Sequence, residues 1–241
     1  MFGKGRFLSI LSIQELVDAG FHFGHRTSRW NPKMRPFIYG KQNLIHIINL
    51  RETVRGLIIA TKFLTNLVQA GKDVLFVGTK WQARNLILQE AQRSGMHYVS
   101  ERWLGGTLTN FDTIRKRLER LEELEDLEKT GDISQFSKKV IASFNRERKK
   151  ILTNLQGIRN MTKLPGALVI IDPKNEHNAL SEAIKLGIPT VCLADTDCDP
   201  DRIDVCVPGN DDAIRSINLF LSKAADAIIA GKEAMVAVSK V

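Results

Sequence analysis

The segment LADTDCDPDRID (193–204) sets Asp195, Asp197, Asp199, Asp201 and Asp204 directly behind an apolar run. In an open α/β sheet, ligands bind at the carboxyl ends of the strands, so these acids are the first place to look for catalysis. A phosphatase reading makes Asp195 the nucleophile and Asp197 the acid, and it needs a lysine from elsewhere in the chain. An EF-hand loop does not fit: its sixth position holds Pro200 in place of glycine, and its twelfth holds Cys206 in place of glutamate. Three further readings stay open. The loop is a solvated turn closed by Asx hydrogen bonds, a surface that meets a basic protein segment, or a weak Mg2+ site at Asp195 and Asp197.

A second group lies near the N-terminus. GFHFGHRTSRWNPKMRPFIYG (20–40) carries His22 and His25 three apart, where a helix would set both on one face. No neighbouring Cys, Asp or Glu completes a metal shell. Phe21, Phe23, Trp30, Phe37 and Tyr39 are instead interleaved with Arg26, Arg29, Lys33 and Arg35. Guanidinium groups pair bidentately with phosphate, and flat rings stack on exposed bases. Nucleic-acid contact is therefore favoured over a basic loop packed on the first helix. FVGTK (76–80) offers Gly78 and Lys80 behind another apolar run. The P-loop pattern and G-x-G-x-x-G are missing, and a turn with Thr79 as helix N-cap accounts for the stretch. His46 reads as a packed strand residue. G-x-S-x-G, H-E-x-x-H and a Cys/His nucleophile pair are also absent.

The charge is segregated. The chain has 35 Lys+Arg against 27 Asp+Glu, a formal +8 that points to a polyanionic partner. Residues 19–51 hold six basic residues and no acid, and residues 138–163 hold eight basic residues against Glu147 alone. Residues 119–128 hold six acids, and residues 195–212 hold seven. Such blocks make a directed electrostatic face. The three cysteines, Cys192, Cys198 and Cys206, form no C-x-x-C pair, which disfavours a zinc knuckle or a disulfide framework and fits a reducing cytosol. The FLSILSI run at the N-terminus is too short and too interrupted for a signal peptide, and no membrane span is expected.

The elements that must position these residues follow from periodicity. Ser12 and Glu15 form a capping box for a short helix ending at Gly20. LIHIINL (44–50), DVLFVG (73–78), HYVS (97–100), ALVIID (167–172), PTVCLAD (189–195) and DVCVP (204–208) read as strands. They alternate with helices over 52–70, from after Gly78 to near Gly95, over 176–186 and over about 211–230. Strands alternating with helices imply a doubly wound α/β domain on a mainly parallel sheet. Residues 110–162 break that rhythm, with no strand and apolar residues at helical spacing around a KTGD turn (129–132). They are either two helices lying over the core or a projecting antiparallel coiled-coil hairpin, and their high charge and narrow apolar stripe favour the hairpin. The domain expectation is thus an α/β unit over 1–109 and 163–241, with 110–162 inserted as a separable hairpin whose replacement over 112–160 would leave a folded core.

AGFHFGHRTSRWNPKMRPFIYG, IHIINL, FVGTK, RWLGGTLTNF, LPGALVIIDP, GIPTVCLADTDCDPD and VPGNDDAIRSI, in this order, resemble the blocks of the bacterial-type small-subunit ribosomal protein S-two family. The resemblance runs from about residue 12 to 230. It implies a flavodoxin-like domain carrying a coiled-coil hairpin, and a structural role without catalysis. It also implies binding to 16S-type rRNA between head and body of the small subunit, contacts with neighbouring ribosomal proteins, and help in recruiting the mRNA-binding protein S-one. No cofactor beyond the weak Mg2+ and no homo-oligomer is expected. The family block H-F-G-H-x-x-x-x-W-N-P-K-M falls on His22, Phe23, Gly24, His25, Trp30, Asn31, Pro32, Lys33 and Met34. W-L-G-G-x-L-T-N falls on Trp103 to Asn110. RNA contact is accordingly expected at His22, His25, Arg26, Arg29, Trp30, Lys33, Arg35, Trp103, Gly105, Gly106, Arg115, Lys149 and Lys150. The phosphate-handling enzyme is the competing reading.

Overall fold

The structure, a computed structural model, describes residues 12–130 and 135–239. In chain order the elements are α1 (Ile13–Asp18), β1 (Phe23–Arg26), β2 (Ile38–Gln42), β3 (Ile45–Ile48), α2 (Leu50–Gln69), β4 (Val74–Val77), α3 (Trp81–Ser94) and β5 (His97–Val99). There follow α4 (Phe111–Thr130), α5 (Lys138–Leu155), β6 (Ala167–Ile171), α6 (His177–Leu186), β7 (Thr190–Ala194), β8 (Val205–Pro208) and α7 (Ile214–Ser239). Five strands make an all-parallel sheet in the order β5-β4-β6-β7-β8. The order reverses between β4 and β6, so the crevice at their carboxyl ends is the switch point of a doubly wound fold.

Alternation along the central strands decides which helix covers which face. Phe76, Val169, Ile171, Val191 and Leu193 point toward α2, α3 and α7, meeting Leu57, Leu64, Ile87, Phe220 and Leu221. Leu75, Val77, Leu168, Ile170 and Cys192 point the other way, toward Leu180 and Ala183 of α6 and toward α4 and α5. A parallel sheet must be covered on both faces, and here the second cover comes largely from the segment that breaks the β/α rhythm. Ile114, Leu118 and Leu121 of α4 join Ile151 and Leu155 of α5 in that layer. Farther out, the arms hold each other through Arg120–Glu147 and Arg148–Glu128. The proximal turns therefore belong to the core, and the distal turns project from it.

Several local expectations change. Lys80, not Thr79, holds the cap position of α3, because the Thr79 N–H and hydroxyl both donate to Glu176 Oε1 at 2.8 and 2.6 Å. The last helix starts at Ile214, since Asn210 Oδ1 takes the N–H groups of Asp212 and Ala213 in a preceding turn. It then runs to Ser239, beyond the expected end near 230. His22 lies just before β1 and His25 within it, not on a helix face. Ser12 caps the first helix as expected, its Oγ accepting the Glu15 N–H at 3.1 Å. The expected KTGD turn runs into residues outside the described ones, as does most of the N-terminal apolar run. Among the described residues no helix is long and apolar enough to cross a membrane.

This division of the helix pair is testable. Replacing 129–147 by a short Gly/Ser linker is expected to leave a cooperatively folding protein, because Glu128 and Arg148 already touch and the core turns remain. Deleting 112–160 removes six buried apolar side chains, Ile114, Leu118, Leu121, Ile151, Leu155 and Ile158, from the sheet's cover. At roughly 2–5 kcal/mol for truncating each large buried side chain, the loss exceeds a typical total stability of about 5–15 kcal/mol. Circular dichroism and urea titration should show the first deletion folded and the second unfolded; a folded second deletion would show that the arms cover nothing.

Candidate nucleic-acid interface

The opening basic segment is a small platform of its own. β1, β3 and β2 form a three-stranded antiparallel sheet in that order. Asn31 starts a 3-10 turn over Pro32–Phe37, its Oδ1 accepting the Lys33 N–H at 3.0 Å, with Pro32 pre-set for the first turn. The β2–β3 connection puts Asn43 and Leu44 at positive φ, which closes the hairpin in the sense that matches strand twist. Only part of this was legible as strand, because the β1 and β2 residues do not alternate cleanly between apolar and polar.

The platform docks on the carboxyl edge of the parallel sheet. The His25 N–H is shared by Asp195 Oδ1 at 3.1 Å and Thr196 Oγ1 at 3.0 Å. His25 Nδ1 pairs with Asp195 Oδ2 at 2.8 Å, and the Asn31 N–H reaches the Thr196 carbonyl at 2.8 Å. A Cβ on Gly24 would come within 2.7 Å of the Thr196 side chain, so the missing side chain permits this approach. Lys33 Nζ lies 3.0 Å from Asp199 and 2.8 Å from Asp201. The acidic loop thus meets a basic protein segment, and that segment is part of the same chain.

The rest of the acidic edge is paired as well. Lys80 Nζ lies 3.2 Å from Asp172, 2.7 Å from Asp211 and 2.6 Å from Asp212, and Lys174 lies 2.8 Å from Asp197. Burial opposes the Lys80 charge, but the neighbouring aspartates outweigh it and hold the ammonium well above its ordinary range. Asp211 is wholly buried and its Oδ2 has no hydrogen-bond partner among the described residues. Burial, with Asp172 and Asp195 nearby, pushes its carboxyl up against the pull of Lys80. Ligand atoms of His25, Asp195 and Asp211 lie within 4.8 Å of one another, and so do those of Asp172, Cys198 and Asp211. Asp211, and His25 from a remote part of the sequence, thus stand close to Asp195, and Asp197 lies on the other side of the same imidazole, 3.9 Å from His25 Nε2.

Of the residues expected to touch RNA, Arg26, Arg29 and Arg35 are exposed, and among the described residues no carboxylate pairs with them. Lys33 is neutralised by its two aspartates. Trp30 is half-buried against the His46 ring, with centroids 5.0 Å apart. His22 lies against Phe23, and its Nδ1 is buried without a partner. Phe21 is core, whereas Phe23 and Tyr39 are exposed. Trp103 is buried, with its indole N–H donating to Glu182 at 3.0 Å, so its ring offers no free face. Gly105 is open to its surroundings, and Gly106 has a φ of +87°. Arg115 reaches the Thr162 carbonyl at 3.3 Å. Lys149 and Lys150 are exposed on α5, and Lys150 joins Arg117 and Arg120 around a cleft of about 350 Å³ between the arms. Sequence reasoning missed Glu182 and the His25–Asp195 contact, whose partners are 170 positions apart in the latter case.

The arrangement is a basic platform and a basic helix arm on an α/β domain whose sheet-edge acids are paired within the chain. The sequence profile of the family described as Ribosomal protein S2 matches residues 16–231, and the chain belongs to that family. "Small ribosomal subunit protein uS2" of Rhodopirellula baltica is 55% identical over 91% of this chain and 85% of its own length. The proteins of the same name from Geotalea uraniireducens and Syntrophobacter fumaroxidans are 52% and 51% identical over 94% and 93% of this chain, and over 89% and 82% of their own lengths. The chain is a ribosomal protein without catalytic function.

The His25–Asp195 contact has a pH signature. The hydrogen bond to Asp195 raises the imidazole from 6.5 to about 9; burial opposes this, and the charges of Asp195, Asp197 and Asp211 add to it. Because the folded value lies above the unfolded one, the pair's stabilisation is complete below about 6.5 and is lost as pH rises through about 9. An NMR titration of the His25 ring should report that raised value, and Asp195→Asn should return it to 6.5 or lower. A His25 that titrates normally in the unmodified protein would show that the pair does not form.

Proposed function

We propose that this chain is a structural constituent of the small ribosomal subunit that binds 16S-type rRNA between head and body, works in cytoplasmic translation, and helps recruit protein S-one. The supporting observation is the set of guanidinium groups, Arg26, Arg29 and Arg35, that no carboxylate of the described residues pairs with, on a platform whose neighbouring acids are consumed by Lys33, His25, Lys80 and Lys174. Exposed Phe23 and Tyr39 beside them suit contact with unpaired bases, and the basic face of α5 offers a second contact. Neighbouring small-subunit proteins and S-one complete its partners, and it works within the subunit, not as a separate homo-oligomer.

Counterion release makes the log affinity for RNA fall linearly with log salt, by about 0.7–0.9 per phosphate neutralised. Replacing Arg26, Arg29 and Arg35 together by Gln should flatten that slope by roughly two to three. Lys33→Gln, whose charge is already paired, should change it far less. An unaltered slope in the triple variant would take the platform out of the interface. Subunits assembled without this chain are expected to retain less S-one on sedimentation at moderate salt.

A weak Mg2+ site is a second proposal, favoured by the unpartnered Oδ2 of Asp211 beside Asp195. Mg2+ takes oxygen ligands and keeps several waters, so Asp195, Asp197 and Asp211 would supply one or two carboxylate contacts and its bound waters the rest. In a thermal melt, Mg2+ should raise the midpoint of the unmodified protein and leave Asp195→Asn/Asp197→Asn unmoved. A midpoint independent of Mg2+ in both would reduce the loop to its ion pairs.

A further inference from the structure

The loop from Trp103 to Thr109 folds around one carboxylate that it does not itself contain. Glu182, on α6, is 8% exposed. Its Oε1 accepts the Trp103 indole N–H at 3.0 Å and the Gly106 N–H at 2.8 Å. Its Oε2 accepts the N–H groups of Leu108 and Thr109 at 2.9 and 3.0 Å, and the Thr109 hydroxyl at 3.1 Å. Burial opposes the charge, yet the bonds from Thr109, Trp103, Leu108 and Gly106 more than offset it and hold the carboxyl below its ordinary range. Five donors converge on a single ionised group, and α4 starts two residues beyond the last of them.

We propose that Glu182 is the positioning residue that fixes the take-off of the α4–α5 pair from the sheet domain, the WLGGTLT loop being the clamp that grips it. The clamp is directional. The left-handed φ of Gly106 turns its N–H inward, and the Asn110 N–H closes back on the Gly106 carbonyl at 2.9 Å. Asn110 then accepts the Thr113 and Ile114 N–H groups through its own carbonyl, so the first turn of α4 grows directly from the gripped loop. The returning arm has a separate root. The 3-10 turn at Gln156–Ile158 lies on the edge strand β5 so closely that a Cβ on Gly157 would sit 2.1 Å from the Tyr98 carbonyl oxygen. With the second root fixed on β5 and the proximal turns packed on the sheet, the first root sets where α4 starts and so which of its residues meet that packing. The Trp103 indole and the Gly106, Leu108 and Thr109 donors are consumed by Glu182, so they serve to orient the basic arm. The consequence for RNA rests on the proposed rRNA reading, whereas the orientation does not.

Glu182→Gln keeps the shape but turns one acceptor oxygen into a donating NH2, which must face N–H groups in either orientation. The test is made first on the free protein. Amides of Gly106, Leu108 and Thr109 should lose at least about tenfold of their hydrogen-exchange protection while those of β4 and β6 keep theirs. Residual dipolar couplings of α4 and α5 should then no longer fit the alignment tensor of the parallel sheet, as they do in the unmodified protein. Couplings that still fit one tensor would overturn the proposal, whatever happens to overall stability. If Glu182→Gln does not fold, Trp103→Phe with Thr109→Val removes two donors and leaves the charge, and it should shift the same couplings by a smaller amount. No shift there overturns the proposal equally. RNA affinity should fall severalfold in Glu182→Gln at an unchanged contribution from Arg26, Arg29 and Arg35. A reoriented pair with unchanged affinity supports the positioning role and removes the α5 arm from the proposed interface.

Discussion

Five carboxylates crowd the carboxyl edge of the parallel sheet, and the rest of the molecule is arranged around neutralising them. Asp172, Asp195, Asp197, Asp211 and Asp212 come from the ends of three strands and the loops behind them, because a parallel sheet brings all its strand ends to one side. Left unpaired at close range, such charges repel each other and any RNA that approaches. Lys80 and Lys174 answer part of that charge from loops of the α/β domain itself. His25 answers Asp195, Lys33 answers Asp199 and Asp201 in the loop that follows, and in doing so they dock the opening basic platform. Charge neutralisation and platform assembly are therefore one interaction.

This docking separates two kinds of basic residue that look alike in a list. Lys33 and His25 face inward to the aspartates and act as fasteners. Arg26, Arg29 and Arg35 face outward, and the acids that would compete for them are already occupied. The molecule thus presents positive charge on one side while its overall balance stays modest. A protein that meets a polyanion gains from such a division, since exposed acids near the contact would cost affinity at every salt concentration.

The second half of the design is mechanical. The α4–α5 pair covers one face of the sheet with its proximal turns and carries charge outward with its distal ones. It is rooted twice, through the loop around Glu182 and through the close contact of Gly157 with β5. A buried carboxylate with five donors resists displacement, because losing any partner leaves an uncompensated polar group inside the protein. The same α6 that completes the sheet's cover therefore also sets the direction of the arms.

Periodicity in the sequence was sufficient for the core. DVLFVG, ALVIID and PTVCLAD are short apolar runs fit only for strands buried on both faces, and the helices between them dictate a parallel, doubly wound sheet. The segregated charge and the aromatic-basic mixture of residues 20–40 were legible for the same reason: composition is local. What lay beyond reach were pairings between distant residues. His25 and Asp195 stand 170 positions apart, Trp103 and Glu182 79 apart, and no local pattern couples them. The helix-face reading of His22 and His25 failed because tertiary docking holds that stretch extended, and Trp103 proved buried because its indole N–H finds Glu182. Sequence by itself determined the α/β core, the helical insertion and the sign of each surface, since these follow from the spacing of neighbours along the chain. Tertiary structure alone decided which charges are consumed and which remain free, because that depends on the strand ends that the sheet brings together.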